Sequence, residues 1–284
     1  ETIAGEGQAR VRLLINPGRL PDAIAASRVM GAVREYGRDV AEQRLGALGL
    51  HPEIAEPLTV EPVNLSAQTN LADFFLYMVP PFVIFTVFLG GVYLAIDATA
   101  GERERGSLEP LFANPVARWE LLLGKFLSAV LYTVLAVVVQ AVAFRVVFAW
   151  AAPDHLDLAA RLDAPTLAAM VAIALPLVCL ATAVQIIIAV MTRSIKEAQT
   201  YLGLLPLVPS MPGLALIFVP VQAEAWMMAV PAFSQTLLLG LLLRGEPVAW
   251  WLPWLSAAAT LALTALLFRL ALRLFAREKM VFAG

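Results

Sequence analysis

Six long stretches without a charged residue constrain this chain more than any other feature of its sequence. They lie at 74–96, 126–144, 164–192, 198–223, 225–243 and 247–268. A helix needs about 20 mostly apolar residues to cross the hydrocarbon layer of a membrane, which is roughly 30 Å thick. Backbone N–H and C=O groups find no water inside lipid, so spanning segments satisfy them internally, as helices do. The sequence therefore predicts an all-α membrane protein with several spans.

The composition agrees with a membrane protein rather than a soluble domain. Of the 284 residues, 60% are hydrophobic and 15% are charged, whereas a soluble domain carries roughly 25% charged residues. The net charge of −2 indicates no nucleic-acid partner, and lipid is the expected surrounding. The single cysteine, Cys179, lies in an apolar run, so we expect a buried small side chain and no disulfide within the chain.

The distribution of basic residues predicts which stretches cross the membrane, because cytoplasmic loops are enriched in Lys and Arg. Basic residues cluster after the first stretch, after the third and in the C-terminal tail: Arg103, Arg105, Arg118, Lys125, Arg193, Lys196, Arg269, Arg273, Arg277 and Lys279. Five crossings place all of them on the cytoplasmic side, whereas six would place the C-terminal four outside. We therefore predict five spans in this chain, with the C-terminus in the cytoplasm.

The stretch at 225–243 is the one predicted not to cross. Pro231 interrupts it early, and the polar residues Ser234, Gln235 and Thr236 follow. A broken helix is tolerated at membrane depth where protein surrounds it. We therefore predict a re-entrant or interfacial hairpin on the outer side, at about 222–246.

Residues 1–70 differ from the rest of the chain. They contain seven arginines, an alternating polar and apolar run from Gln8 to Ile15 that predicts a strand, and helical spacing from about Pro21 to Leu48. An odd number of crossings places this segment outside the cytoplasm. We therefore predict a small α+β extracytoplasmic domain at 1–70 and a transmembrane domain at 71–284. A further span upstream would bring the intact subunit to six.

The loop after the first charge-free stretch carries the most specific pattern, GERERGSLEPLFANPVARWELLLGK from Gly101 to Lys125. Asn114 is placed to cap a helix that begins at Pro115, where a missing N–H costs nothing. Trp119 and Lys125 suit the level of the lipid headgroups. From the residues alone, this loop is either an ordinary juxtamembrane loop anchored by charge or a docking surface for a cytoplasmic partner.

This pattern resembles the cytoplasmic signature of ABC transporter permeases of the type-two exporter family. There a Glu-Arg-Glu-X-Gly-(Thr/Ser)-Leu-Glu run precedes Pro-Val-X-Arg-Trp-Glu-Leu-Leu-Leu-Gly-Lys. The run from Arg193 to Gln199 resembles the second cytoplasmic loop of that family. Prolines that match its last third are Pro206, Pro209, Pro212, Pro220 and Pro231. An outer domain between the first two spans resembles the branch that includes the bacterial sodium-extruding permeases.

The resemblance implies a permease subunit of an ATP-binding-cassette exporter in the bacterial inner membrane. Such a subunit pairs with a second permease, here expected to be an identical copy, and with cytoplasmic ATPase subunits that bind ATP and Mg. Its coupling segments would be 100–125 and 192–199. The residues expected to contact the ATPase are Glu102, Arg103, Glu104, Arg105, Gly106, Ser107, Leu108, Glu109, Arg193, Lys196 and Glu197. No Gly-X-X-X-X-Gly-Lys-(Ser/Thr) run occurs in the sequence, so the chain itself is expected to bind no cofactor.

Few polar residues lie within the predicted spans, and four of them are candidates for a transport pathway: Gln140, Arg145, Thr182 and Gln185. A charge inside the membrane favours a function by default. Arg145, however, lies close enough to the outer end to reach the headgroups. Uncharged polar residues more often bond neighbouring helices than a ligand. The residues alone leave both interpretations open.

Three other kinds of function compete with a driven permease. An ion-coupled secondary transporter would need buried charged relays and an inverted repeat, and the sequence shows neither. An intramembrane enzyme would need a nucleophile with its base, or a metal motif such as His-Glu-X-X-His, and neither occurs in the spans. A receptor or scaffold with a ligand-binding outer domain stays open. The sequence predicts no catalytic residue and no metal site.

Overall fold

The computed structural model describes residues 9–15, 20–47, 58–64, 70–107, 115–151, 162–192, 194–218, 221 and 224–275. The chain divides into two compact units. The first contains Glu1–Phe75 and Ile217–Pro220, and the second contains Leu76–Leu216 and Val221–Gly284.

The first unit contains two strands joined by a helix. They are β1 (Ala9–Ile15), α1 (Leu20–Ala47) and β2 (Leu58–Asn64). The strands pair in parallel, starting with Ala9 opposite Leu58. Parallel strands need a long crossover connection, and α1 contacts both of them as that connection would. Strand β1 and helix α1 lie where the alternation and the helical spacing predict them. The position of this unit outside the membrane stays a prediction.

The first span is a helical run with interruptions. Its elements are α2 (Asn70–Gly90), α3 (Val92–Ile96), a π-helical turn (Asp97–Gly101) and α4 (Glu102–Glu104). The apolar run of spanning length is Leu76–Glu104. It therefore extends eight residues beyond the last residue of the charge-free stretch 74–96, because charged side chains at the end of a span can leave the lipid while the backbone stays helical.

The rest of the second unit is helical wherever the structure assigns regular elements. These elements are α5 (Arg118–Ala151), α6 (Ala164–Met191), α7 (Ile195–Leu204), α8 (Leu207–Phe218), a 3₁₀ helix (Ala225–Ala229), α9 (Phe233–Arg244) and α10 (Leu252–Phe275). Helix α5 begins at Arg118 rather than at Pro115. The carbonyl of Ala117 accepts its first backbone hydrogen bonds, and Asn114 lies outside the described residues.

The described residues contain four helices long and apolar enough to cross a membrane, where the sequence analysis expected five. The stretch at 198–223 accounts for the difference, because α7 ends at Leu204 and α8 begins at Leu207. Proline lacks the backbone N–H and clashes with the preceding turn. The break falls at Leu205 and Pro206, and Pro209, in the first turn of α8, cannot donate to the carbonyl of Leu205, whereas Pro212 lies within α8. The predicted all-α, multi-span fold is confirmed, with this segment as a broken pair of helices.

Helix α6 is the centre of the second unit, since it contacts α3, α5, α7, α9 and α10. Its buried side chains are mostly small or aliphatic, which allows neighbouring helices to approach closely. Cys179 is partly buried and packs against this core, beside Ile186 and Phe126. It is less buried than the sequence analysis expected.

The termini of these helices lie at two opposite ends of the unit. The rings of Phe126 and Phe268 lie 5.0 Å apart, so the first turns of α5 adjoin the last turns of α10. At the opposite end, the carbonyl of Leu162, just before α6, accepts a hydrogen bond from Arg145 near the end of α5. Tryptophans are exposed at this second end, which we call the tryptophan end: Trp150, Trp226, Trp250, Trp251 and Trp254.

The broken pair α7–α8 runs between the same two ends. Ala198 and Leu202 of α7 pack with Ala100 at the end of the first span. Leu216 of α8 packs with Met227 and Leu252 at the tryptophan end. The pair therefore covers the distance that the continuous spans cover, although it is not one helix.

Helix α9 is short and buried. It has 12 residues, too few to cross a membrane, and it follows a break at Pro231 and Ala232. Ala232 has a φ of 67°, a left-handed conformation that is uncommon for a residue with a Cβ. The sequence predicts an interruption at this place. The side of the membrane on which α9 lies stays a prediction.

Candidate functional site: a helix-end junction

Charged side chains at the end of the first span hold the ends of three other helices. We call this cluster the helix-end junction: Glu102, Arg103, Glu104, Lys125, the carbonyls of Val190 and Thr192, and the N–H of Ile195. It lies at the end of the unit opposite the tryptophan end. Each of its side chains reaches a different neighbouring element.

Arg103 binds the C-terminal end of α6. Its Nη1 donates to the carbonyl of Thr192 and its Nη2 to that of Val190, both at 2.7 Å. The last carbonyls of a helix have no partner within the helix, and a positive charge there is favourable. A partly buried guanidinium with two such bonds fixes both the position and the direction of α4 against α6. The Arg103 Nε has no hydrogen-bond partner among the described residues.

Glu104 binds the N-terminal end of α7. Its Oε2 accepts the N–H of Ile195 at 3.0 Å, and Ser194 Oγ accepts the N–H of Glu197 at 3.2 Å. The first N–H groups of a helix are also unpaired, and a carboxylate or hydroxyl oxygen satisfies them. Neighbouring residues of α4 thus bind the end of one helix and the start of the next.

Glu102 forms an ion pair with Lys125 of α5. Lys125 Nζ also donates to the carbonyl of Ala98 at 2.5 Å and lies 5.6 Å from the ring centroid of Phe275 in α10. The side chains of Lys125 and Glu102 are only 12% and 26% exposed. Partial burial makes such a pair matter more than a surface pair, because water screens it less.

A glycine ends the helix beyond the junction. Gly106 has a φ of 69°, its N–H bonds the carbonyl of Arg103, and the N–H of Ser107 bonds that of Glu102. This is a Schellman motif, which needs a residue in the left-handed conformation and favours glycine there. Arg105 leaves the helix to pair with Asp97 on the exposed surface. The Arg-Gly-Ser sequence is therefore a helix stop.

The predicted ATPase-contacting residues divide into two groups. Exposed ones are Glu104, Arg105, Gly106, Ser107 and Lys196, and partly buried ones are Glu102, Arg103 and Glu197. Leu108, Glu109 and Arg193 lie outside the described residues. Sequence reasoning did not give Lys125 a place in the site, although this residue ends the quoted pattern. The bonding of Arg103 to backbone carbonyls had no sequence signal, because backbone acceptors occur at every residue. Contact with an ATPase stays a prediction for all of them.

The candidate pathway residues are not gathered into one site. Gln140 Nε2 donates to the carbonyl of Phe82 at 3.1 Å, and Gln185 Nε2 donates to that of Phe88 at 2.8 Å. Both glutamines thus bond the backbone of the first span. Thr182 is buried, and its hydroxyl has no hydrogen-bond partner among the described residues. A role for any of them in a pathway stays a prediction.

Arg145 is exposed at the tryptophan end, where its Nη1 donates to the carbonyl of Leu162 at 2.6 Å. Beside it, Asp163 caps α6 by accepting the N–H of Thr166 at 2.9 Å. Hydrogen bonds from the side chain and then the backbone of Thr166 hold the pKa of the Asp163 carboxyl below its usual range, and the charge of Arg145 contributes in the same direction. These bonds attach Leu162 to α5 and Asp163 to the first turn of α6.

A second polar cluster lies at the tryptophan end. The sequence analysis treated Ser234 and Gln235 only as signs of a broken helix and did not single out Ser256 or Thr260. Gln235 Nε2 donates to Ser256 Oγ at 3.1 Å and to Thr260 Oγ1 at 2.9 Å, and Gln235 Oε1 accepts the N–H of Ala232 at 2.8 Å. Ser256 Oγ also donates to Ser234 Oγ at 2.8 Å. All these side chains are buried, and the bonds fix α9 to α10.

Apolar spanning helices packed around a buried central helix define a multi-pass membrane protein. Residues 23–280 match the family model described as ABC-2 family transporter protein, so the chain belongs to that family. It is 29% identical over 266 residues to the ABC transporter permease protein NatB of Bacillus subtilis (strain 168), a match that covers 90% of this chain and 67% of the relative. No solved structure matches it significantly.

The chain is therefore a transmembrane permease subunit of an ABC transporter, and such a subunit implies an ATPase partner. The family resemblance stated from the sequence is confirmed, and the relative supports the branch that the sequence indicates. The charged pattern that carries the resemblance is the same segment that forms the helix-end junction.

Proposed function

We propose that this chain is the permease of an ATP-driven exporter and that the helix-end junction receives the movement of a separate cytoplasmic ATPase. The observation that supports this proposal is that one three-residue helix, α4, bonds Lys125 near the start of α5, the C-terminal end of α6 and the N-terminal end of α7. Exposed residues beside these bonds offer a polar surface to a partner. Because the bonds join helix ends rather than flexible loops, movement of that surface becomes rigid-body movement of the helices.

The proposed assembly has two permease copies and two ATPase subunits. ATP and Mg would bind the ATPase subunits, and the permease would bind no cofactor. The absence of a phosphate-binding glycine and lysine pattern in this sequence supports that division of roles.

The proposed orientation puts the junction in the cytoplasm, in a bacterial inner membrane. Basic residues are concentrated at this end, as the positive-inside rule requires. Five exposed tryptophans mark the opposite end and Trp119 lies at the junction end, as expected for residues in the two headgroup layers. Residues 1–70 would then lie outside. The α7–α8 pair would be the fifth crossing, because broken helices are tolerated where other helices surround them.

Purification of the intact permease in gentle detergent tests this proposal. An ATPase subunit is expected to co-purify with the wild-type protein. The double variant Arg105→Glu with Lys196→Glu reverses two exposed charges at the junction end and is expected to reduce its recovery severalfold. Arg34→Glu, exposed on α1, is the matched control and keeps full recovery. A wild-type permease that brings down no ATPase would overturn the proposal and favour an ion-coupled transporter or a receptor.

A further inference from the structure

Two arginines near the C-terminal end of α10 have no partner within the fold. Arg269 and Arg273 are one helical turn apart, about 6 Å along the axis, and both are exposed. Neither forms an ion pair or a hydrogen bond with any residue that the structure describes. Two neighbouring positive charges therefore lie uncompensated on one side of a spanning helix.

The same side of α10 is otherwise apolar. Leu266 and Leu270 are 62% and 44% exposed, and their spacing of three to four residues from the two arginines places all four on one side of the helix. The opposite side, which includes Thr264 and Ala271, is buried. Because α10 is long and apolar enough to cross a membrane, the exposed side faces lipid. It carries leucines deeper in the membrane and arginines closer to the helix end.

The arginines lie at the level of the lipid headgroups. The rings of Phe126 and Phe268 are 5.0 Å apart, so Arg269 lies at about the level of Lys125, the residue before Phe126. Trp119, in the first turn of α5, is exposed at the same end of the unit. Basic and aromatic side chains favour the boundary between hydrocarbon and water. A long arginine side chain at this level extends to the headgroups.

Lys125 shows how the fold treats a positive charge that faces inward at this level. It donates to the carbonyl of Ala98 and pairs with Glu102. The described residues offer no such acceptor to Arg269 or Arg273, so their acceptor has to come from outside the chain. A guanidinium donates two parallel N–H bonds to phosphate oxygens, which makes phosphate a well-matched group.

An identical copy and a soluble partner fit this surface less well than a lipid does. The charge-free stretches of a second copy contain no acidic residue that would pair with the arginines, and burying unpaired charges against protein is costly. A soluble partner does not reach Leu266 and Leu270 within the bilayer. A phospholipid supplies both an anionic headgroup and apolar chains.

We propose that Arg269 and Arg273 bind the headgroup of an anionic phospholipid in the leaflet at the junction end, with its acyl chains along Leu266 and Leu270. The two guanidiniums hold the phosphate, and the net negative charge of the headgroup offsets their positive charges. Each basic residue near a membrane surface contributes about a fivefold preference for anionic lipid. This lipid site goes beyond the transport function and does not depend on an ATPase.

Native mass spectrometry of the intact permease in mild detergent tests the site. The protein is titrated with phosphatidylglycerol, which is anionic, and separately with phosphatidylethanolamine, which is zwitterionic. The wild type is expected to bind phosphatidylglycerol about tenfold more tightly or better. Arg269→Gln with Arg273→Gln should remove this preference and leave phosphatidylethanolamine binding unchanged. Arg269→Lys with Arg273→Lys keeps both charges and should retain the preference within about threefold.

The matched control is Arg28→Gln with Arg34→Gln, which removes the same two charges from exposed positions of α1 and should leave lipid binding unchanged. Wild-type binding of phosphatidylglycerol by the Arg269 and Arg273 glutamine variant would overturn the site. An equal loss in the α1 control would also overturn it, because net charge alone would then set the affinity. A loss in the lysine variant as large as in the glutamine variant would contradict recognition by charge.

Two further outcomes would assign the surface to another occupant and thereby overturn the lipid site. Displacement of phosphatidylglycerol by inorganic phosphate would identify a site for a soluble anion. Loss of permease dimers in the glutamine variant, with lipid binding unchanged, would identify a contact between two copies. All measurements use the permease alone, so they stand whether or not an ATPase subunit co-purifies with it.

Discussion

The two ends of the membrane unit use polar side chains in opposite ways. At the helix-end junction, charged and partly exposed side chains such as Arg103 and Glu104 bond the backbone ends of other helices. At the tryptophan end, uncharged and buried side chains around Gln235 bond one another. A charge can stay at a helix end only where water reaches it, whereas an uncharged network can be enclosed completely. One end therefore presents charged side chains at its surface, and the other encloses its polar side chains within the protein.

The largest effect is expected from removing the enclosed network. Gln235→Leu removes the partner of the Ala232 N–H and the donor to the Thr260 hydroxyl, and it leaves Ser256 with only its bond to Ser234. The free energy of unfolding should fall by roughly 2–3 kcal/mol, since each buried group left unpaired costs about 1–3 kcal/mol. Thermal unfolding in detergent measures it, and Gln199→Leu on the exposed face of α7 is the control. An unchanged unfolding temperature would show that the network does not stabilise this end.

A smaller effect on stability is expected at Arg103. Arg103→Lys keeps the charge but loses the two-pronged geometry that reaches Val190 and Thr192, so we expect a loss of about 1 kcal/mol. Arg105→Lys is the comparison variant, because its pair with Asp97 is exposed and should change stability by less than about 0.5 kcal/mol. Chemical or thermal unfolding of both variants measures the two losses in stability. Equal losses would show that the bonds of Arg103 to α6 stabilise the protein no more than the exposed pair of Arg105 with Asp97 does.

The next effect in size is expected from the ion pair between Glu102 and Lys125. A double-mutant cycle with Glu102→Gln and Lys125→Met should give an interaction energy of about 1 kcal/mol, at the upper end for pairs that water partly screens. It should decrease little with added salt, because both side chains are mostly buried. An interaction energy of zero would mean that Glu102 does not stabilise the fold through Lys125 and that its carboxylate is available to contact the ATPase.

The smallest effect concerns pH. The pKa of Asp163 is lowered in the folded protein, so its carboxylate stabilises the fold above the ordinary pKa of about 4, and this contribution is lost as the pH falls through the lower folded value. Asp163→Asn keeps a good helix cap but cannot titrate. Its unfolding temperature should therefore fall less than that of the wild type on acidification. Parallel curves for the two proteins would contradict the assignment.

The two acidic residues of the Glu-Arg-Glu run have different surroundings in the helix-end junction. Glu102 and Glu104 look equivalent in the Glu-Arg-Glu run, yet Glu102 is partly buried against Lys125 and Glu104 is exposed against α7. Reversing Glu102 would break a partly buried pair, whereas reversing Glu104 would mainly remove a helix cap. An effect of a Glu104 variant on ATPase binding is therefore easier to attribute to the contact with the ATPase than an effect of a Glu102 variant.

Local patterns were sufficient to predict much of the fold. Charge-free stretches predicted the long helices, alternation predicted strand β1, and Pro231 predicted the break before α9. The boundaries were less accurate, since the first span continues to Glu104 and the stretch at 198–223 is two helices. A count of apolar residues cannot register where prolines remove hydrogen bonds or where a helix continues beyond the lipid.

The sequence by itself determined that this chain lies in a membrane, that its charges gather at one end, and that its charged loop belongs to an ABC permease. These properties depend on composition and on short-range order along the chain. Only the tertiary structure decided what the charged residues bind, because the partners of Arg103 and Gln185 are backbone carbonyls 87 and 97 residues away. A backbone carbonyl is chemically the same at every position, so packing alone selects which one a side chain reaches.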